Sequence, residues 1–344
     1  MIRKQISEVL RKVLHLAQTK DPEWLQGYHP PEHSDSENQF AIFLKPEITA
    51  LQDGVKFAEL LHCILDTLHQ WEVRLGAIRL LRSDYLARHQ IMDQHYGVIT
   101  KISKHGDHAI SEKARSFLKS KFCNETDSGA EILGGHQFLA RFPAFSAFAL
   151  STLSDNVGVT KLGPGTYCLR ATVGGEVFLV LNAFHPHQLE NFTTGNKVIV
   201  VMEGISFTPW GDLRHKMIGA TNPAFAFQGS IRHSLFSRSE EFCLSNVSQS
   251  ANGLHLSAGP LEGMVELTRF FSDPDKKSFL EFSKTSFGRL LRDKGASLEF
   301  IDALATNPDI EVDGHIVSAF DLTEELNAEE AAAKLLSIKN AVIA

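Results

Sequence analysis

Phe40-Ala41-Ile42-Phe43-Leu44 is an unbroken apolar run that stops at Lys45 and Pro46. A strand covered on both faces has no polar side to alternate with, so the run predicts a buried central strand with Lys45 at its end. Downstream, residues 55–71 place Phe57, Leu60, Leu61, Ile64, Leu65 and Leu68 at helical spacing, and residues 73–81 give a second strand. Ser83 reads as the N-cap of a helix that carries Leu86, Ile91 and Met92 and ends near Tyr96. Further on, residues 198–202 form another short buried strand, and residues 208–217 a helix with Pro209 in its first turn.

Between these stretches the texture changes. A charged amphipathic helix spans about 107–122, a Gly- and Ser-punctuated segment follows over 124–135, and β-rich runs at 166–173 and 176–184 flank Gly174 and Gly175 as a hairpin. Upstream, Ile6, Leu10, Val13, Leu14 and Ala17 share one face of a helix over 2–17, and a Pro-containing linker occupies 27–38. The last stretch, 272–344, holds helices at 278–292 and 328–338.

Composition bounds the function classes. The 344-residue chain suits two or three structural units, and a formal net charge of -7 provides no global basic field for nucleic acid. Cys63, Cys123, Cys168 and Cys243 stand far apart, with neither a paired zinc spacing nor a disulfide framework, which fits a reducing, cytoplasmic setting. No secretory or membrane-spanning apolar run is present, so no membrane partner is expected. Gly163-Pro164-Gly165 lacks the lysine of a phosphate-binding loop and reads as a turn.

Three segments carry more specific information. The first is Phe40-Ala41-Ile42-Phe43-Leu44-Lys45-Pro46-Glu47. The second is Gly219-Ala220-Thr221-Asn222-Pro223-Ala224, continuing to Gly229-Ser230-Ile231-Arg232. The third is Asn252-Gly253-Leu254-His255-Leu256-Ser257, followed by Glu266. Taken in this order they resemble the nucleoside diphosphate kinase family, with its Ile-Lys-Pro-Asp strand end, its Gly-Ala/Glu-Thr-Asn/Asp-Pro-Ala and Gly-Thr-Ile-Arg stretch, and its Asn-x-x-His-x-Ser motif. The resemblance implies an α+β chain whose core is a ferredoxin-like α/β sandwich, βαββαβ. The core would occupy 39–99 and 196–271, after an N-terminal helix and linker at 1–38. An inserted helix and β-hairpin subdomain would fill 100–195, and a helical C-terminal extension 272–344.

The same resemblance implies roles. His255 would take the γ-phosphoryl group of a nucleoside triphosphate and pass it to a nucleoside diphosphate, with Glu266 orienting the ring and Ser257 supporting it. Lys45 and Arg232 would neutralise phosphates, Thr221 would donate a hydroxyl, and Asn252 would reach the ribose. Tyr96, Leu189 and His215 fall at positions expected near the nucleotide. Phosphoryl transfer asks chiefly for an in-line nucleophile and fixed positive charge, and an imidazole with an ordinary pKa of about 6.5 is largely unprotonated near pH 7. The chain has 16 histidines, and it is the flanking Asn252, Ser257 and Glu266 that set His255 apart. Mg²⁺ would arrive bound to the nucleotide rather than in a protein cage. Family members form homo-oligomers, which implies a homodimer here.

The departures point to alternatives. His215, with Arg214 beside it, stands where the family has an arginine, and Ala258 and Ser234 stand where it has aspartates. A nucleotide-binding module without turnover, or a kinase with a non-nucleotide acceptor, would accommodate these changes.

Overall fold

The computed structural model describes residues 22–31, 37–51, 53–122, 129–312 and 314–338, and the helix expected over 2–17 lies outside them. The chain forms two units: one from the described residues up to Tyr85 together with those from Asn196 on, the other from Leu86–Gly195.

The first unit contains an antiparallel sheet of β1 (Glu23–Gln26), β2 (Asn38–Leu44), β3 (Arg74–Arg82), β4 (Val198–Ser206) and β5 (Leu254–Leu256), ordered β1-β3-β4-β2-β5. Three helices organise it: α1 (Gly54–Gln70), α2 (Ile231–Ser237) and α3 (Pro260–Phe271). From β2 onward the chain order is strand, helix, strand, strand, helix, strand. Every residue of β2 is buried, the apolar run Phe40–Leu44 together with Asn38 and Gln39 before it. Phe40, Ile42 and Leu44 pack with Phe57, Leu60 and Ile64 of α1, while the alternate residue Phe43 meets Phe270 of α3 with ring centroids 5.4 Å apart. Burying each such side chain is worth about 1.5–3 kcal/mol, so this apolar stripe, more than local propensity, holds α1 in place. The Asp53 carboxylate starts the helix by accepting the Val55 and Lys56 N–H groups at 2.8 and 3.1 Å.

Several local expectations are corrected. β1 lies within the region read as helix and linker, and it emerges through pairing along the edge of β3, Glu23 opposite Leu80. Ser83 does not act as an N-cap: the helix Ser83–Arg88 includes it, and its hydroxyl donates to the Lys197 carbonyl at 3.0 Å. The helix expected to run to Tyr96 breaks at Gln90, whose φ of +51° interrupts it before Ile91–His95. Residues 208–217 form a short helix, Trp210–Asp212, followed by a π turn, Leu213–Ile218, with Pro209 at the cap. Residues 278–292 hold a 3₁₀ turn at Phe282–Lys284 and a shorter helix, Ser286–Asp293, because the Thr285 hydroxyl accepts the Gly288 N–H at 3.1 Å and starts the helix there. The C-terminal elements form a second hydrophobic core with Leu261, Met264 and Val265 of α3, so they are integral to the first unit rather than appended to it.

The second unit begins at Leu86, inside the segment expected to belong to the core. Its four-stranded sheet runs in the order Glu131–Gly134, Glu176–Leu181, Thr166–Val173, Thr160–Gly163. The first pair is parallel and the others antiparallel, with the hairpin turning at Gly174 and Gly175. Leu179 and Leu181 point into one apolar cluster and Phe178 and Val180 into another, so this sheet is also covered on both faces. No described helix is long and apolar enough to cross a membrane. Cys63, Cys168 and Cys243 are free thiols.

Candidate functional site

β5 is a short strand that, among the described residues, pairs with β2 alone, setting His255 opposite Phe43. Leu254 and Leu256 enter the core with α1, so alternation turns His255 to the face where α3 lies. There its ring stacks on Phe43, centroids 4.7 Å apart and planes 21° apart, with a fifth of the side chain exposed (20%). The chain turns directly from Ser257 into α3, and this brings back Glu266, which is separated from His255 by 11 positions in sequence. His255 Nε2 lies 2.8 Å from Glu266 Oε1 and 3.0 Å from Oε2.

Glu266 is 1% exposed and its carboxylate also accepts the Ser257 hydroxyl at 2.5 Å. The Ser257 oxygen in turn accepts the Ala41 N–H at 2.9 Å, tying the group to β2. A buried carboxylate is tolerable because these donors replace its water. Since the carboxylate accepts, the Nε2–H tautomer is the one it selects, and the lone pair of the neutral ring then belongs to Nδ1.

The other end of residues 252–257 gathers cations. Lys45 Nζ donates to Asn252 Oδ1 at 2.7 Å, and Asn252 Nδ2 donates to the Thr221 and Gln249 carbonyls at 3.0 and 3.2 Å. The Lys45 N–H donates to the Gly253 carbonyl at 2.9 Å, and the Gly253 N–H to Glu47 Oε1 at 3.0 Å. Gly253 holds φ +85°, and a Cβ there would stand 2.4 Å from Leu235 Cδ1, so the crossing of β5 with α2 needs glycine. Arg232, in the first turn of α2, donates to the Gly219 and Leu254 carbonyls, each at 2.9 Å.

Lys45, Thr221, Arg232, Asn252, His255, Ser257 and Glu266 thus converge on one segment of the first unit. His215 is more peripheral: it is 62% exposed by side chain and lies 2.8 Å from Glu325. Tyr96 and Leu189 belong to the second unit. Tyr96 packs edge-on to His185 at 5.9 Å and tilted to Phe192 at 6.0 Å, while Leu189 is buried on the helix His185–Thr193. Sequence reasoning passed over Phe43 as a ring partner, Glu47 as a backbone acceptor and Glu262, which accepts the Ala258 N–H. For Glu262 a signal existed, since it precedes Glu266 by one turn on the same helix face.

Lys45 and Glu262 are among the groups displaced electrostatically. Burial, reinforced by Arg232 and opposed by Glu47, lowers the Lys45 amine from the ordinary 10.5 to about 8. Burial and the neighbouring Glu266 raise the Glu262 carboxyl. For Lys45 the sign follows directly. Between about 8 and 10.5 the unfolded chain binds more protons than the folded one, so this residue's contribution to stability rises with pH across that window. An anion held by Lys45 would follow the opposite sign, because only the protonated amine carries charge. The affinity for inorganic tripolyphosphate, measured by calorimetry, should fall as pH passes about 8, and affinity that stays level to pH 10 would contradict this.

No family model matches the chain, and no curated protein does. Among solved structures it is similar to an apo nucleoside diphosphate kinase of Encephalitozoon cuniculi, at 14% identity and a TM-score of 0.33, over 69% of this chain and 90% of that one.

Proposed function

We propose that this chain is a nucleoside diphosphate kinase-like phosphotransferase on a ferredoxin-like α/β sandwich, moving the γ-phosphoryl group of a nucleoside triphosphate to a nucleoside diphosphate through His255. The observation that carries this reading is an imidazole whose Nε2 is held by a buried carboxylate while Lys45 and Arg232 are fastened to the same strand segment. Two cations beside one nucleophile suit the dispersed charge of a transferring phosphoryl group.

In the proposed reaction the Nδ1 lone pair attacks the γ-phosphorus, the bond to the bridging oxygen breaks, and the nucleoside diphosphate departs with that electron pair. Positive charge then grows on the ring, and Glu266 is placed to stabilise it through Nε2–H. A second diphosphate reclaims the phosphoryl group with its terminal oxygen. Lys45 and Arg232 would balance the equatorial oxygens, Asn252 and Thr221 would border the ribose and phosphates, and Mg²⁺ would enter as part of the nucleotide substrate. A cytoplasmic homodimer is the setting proposed with it.

Incubation with [γ-³²P]ATP and Mg²⁺ is expected to leave an acid-labile label on the protein; a folded protein that takes up none would overturn the kinase reading. A second reading, nucleotide binding without turnover, draws on the pairing of Arg214 and His215 with Glu324 and Glu325. It predicts triphosphate affinity with no exchange of phosphate into diphosphate.

A further inference from the structure

Arg214 and His215 sit at the start of the π turn Leu213–Ile218, and both are engaged by carboxylates from far along the chain. Arg214 Nη1 pairs with Glu324 and lies 3.2 Å from Glu325 Oε1, which is also 2.8 Å from His215 Nε2. The turn carrying the two acids is fastened to the exit of β5. The Glu325 N–H donates to the Ala258 carbonyl at 2.9 Å. Gly259 lies so close beneath it that a Cβ there would meet the Thr323 carbonyl oxygen at 2.5 Å. Glu325 itself holds φ +62°, a left-handed conformation that side-chain-bearing residues seldom adopt.

Arg214 also stands 3.4 Å from the Ala258 carbonyl, whereas Arg232 bonds the Leu254 carbonyl. The two guanidinium groups therefore bracket His255 along the chain, at backbone positions no more than about 14 Å apart. Around Arg214 the charged groups are Glu324, Glu325 and Glu262, and around His215 the carboxylate of Glu325; Lys216 is paired with Asp212 at 2.8 Å.

We propose that the Glu324 and Glu325 turn is a built-in competitor for phosphate: its carboxylates occupy Arg214 and His215, and a polyphosphate bound beside His255 displaces them. This rests on the phosphotransferase reading of the site. The ion pairs are suited to exchange, because the side chains of Arg214, Glu324 and Glu325 are 25%, 42% and 37% exposed and solvent screens their attraction. A tethered acid nevertheless competes at high effective concentration, so it raises the ligand concentration needed to fill the site. Its displacement would also release the left-handed residue from its constraint.

The test uses inorganic tripolyphosphate as probe, titrated calorimetrically into the full chain and its Glu324→Gln/Glu325→Gln variant at low salt. The variant is expected to bind at least about tenfold more tightly, with a steeper loss of affinity as salt is added. Affinity unchanged within twofold, or weakened, overturns the proposal. Glu325→Gly suits the left-handed backbone and removes one acid, so it should tighten binding by a smaller factor and serves if the double variant fails to fold. Because tripolyphosphate needs no turnover, the two readings separate. Tighter binding in a protein that takes no label leaves the competitor standing and removes the kinase. Normal labelling with unchanged affinity removes the competitor alone.

Discussion

Replacing His255 with alanine should abolish the acid-labile label and lower phosphate exchange between triphosphate and diphosphate by at least about 10³-fold. The fold should survive, since Leu254 and Leu256 anchor β5 in the core on the opposite face and the His255 side chain is 20% exposed. Thermal unfolding checks the second point and exchange kinetics the first. An alanine variant that exchanges at the parental rate would mean that the nucleophile lies elsewhere.

Glu266→Gln should slow phosphoenzyme formation by about 10²-fold while changing nucleotide KM little. The amide matches the carboxylate in size and can still accept from Ser257 or His255. It carries no charge to balance the ring as phosphate is taken up, so its effect falls on the step rather than on binding. Glu266→Ala is harsher. It removes the carboxylate that receives the Ser257 hydroxyl and the imidazole N–H, leaving the hydroxyl the Ala41 carbonyl at 3.3 Å as its other acceptor and the ring without its charged partner. Rapid-quench measurement of the labelling rate distinguishes the roles. A parental rate in Glu266→Gln would mean that the carboxylate's charge plays no part in the step and that an uncharged acceptor for the imidazole N–H suffices.

Sequence legibility followed the range of the forces involved. β2 is readable because Phe40 to Leu44 record burial on both faces, and α1 because its leucines repeat with the helical period. The turn at Gly174 and Gly175 is equally local. β1 leaves no such trace: it is four residues long and exists by pairing with β3. The break at Gln90 and the π turn at Leu213–Ile218 depend on tertiary packing that overrides helical periodicity.

The site divides in the same way. Asn252, His255 and Ser257 stand out as a spaced motif, while the link from His255 to Glu266 depends on how β5 turns into α3. Lys45 was legible as a strand end, but its burial and lowered pKa come from the crossing with Asn252 and Arg232. Glu324 and Glu325 gave no signal, because their partners Arg214 and His215 lie more than a hundred residues earlier and only the folded C-terminal turn brings them together.

In the proposed reaction one nitrogen of one histidine receives the phosphoryl group. ³¹P NMR of protein treated with ATP and Mg²⁺, with peptide mapping under alkaline conditions, tests it directly. A single phosphoramidate resonance of the Nδ1 isomer, mapped to His255, is expected. A phosphate on another residue, on Nε2 of His255, or on no residue of a folded and nucleotide-saturated protein would contradict it.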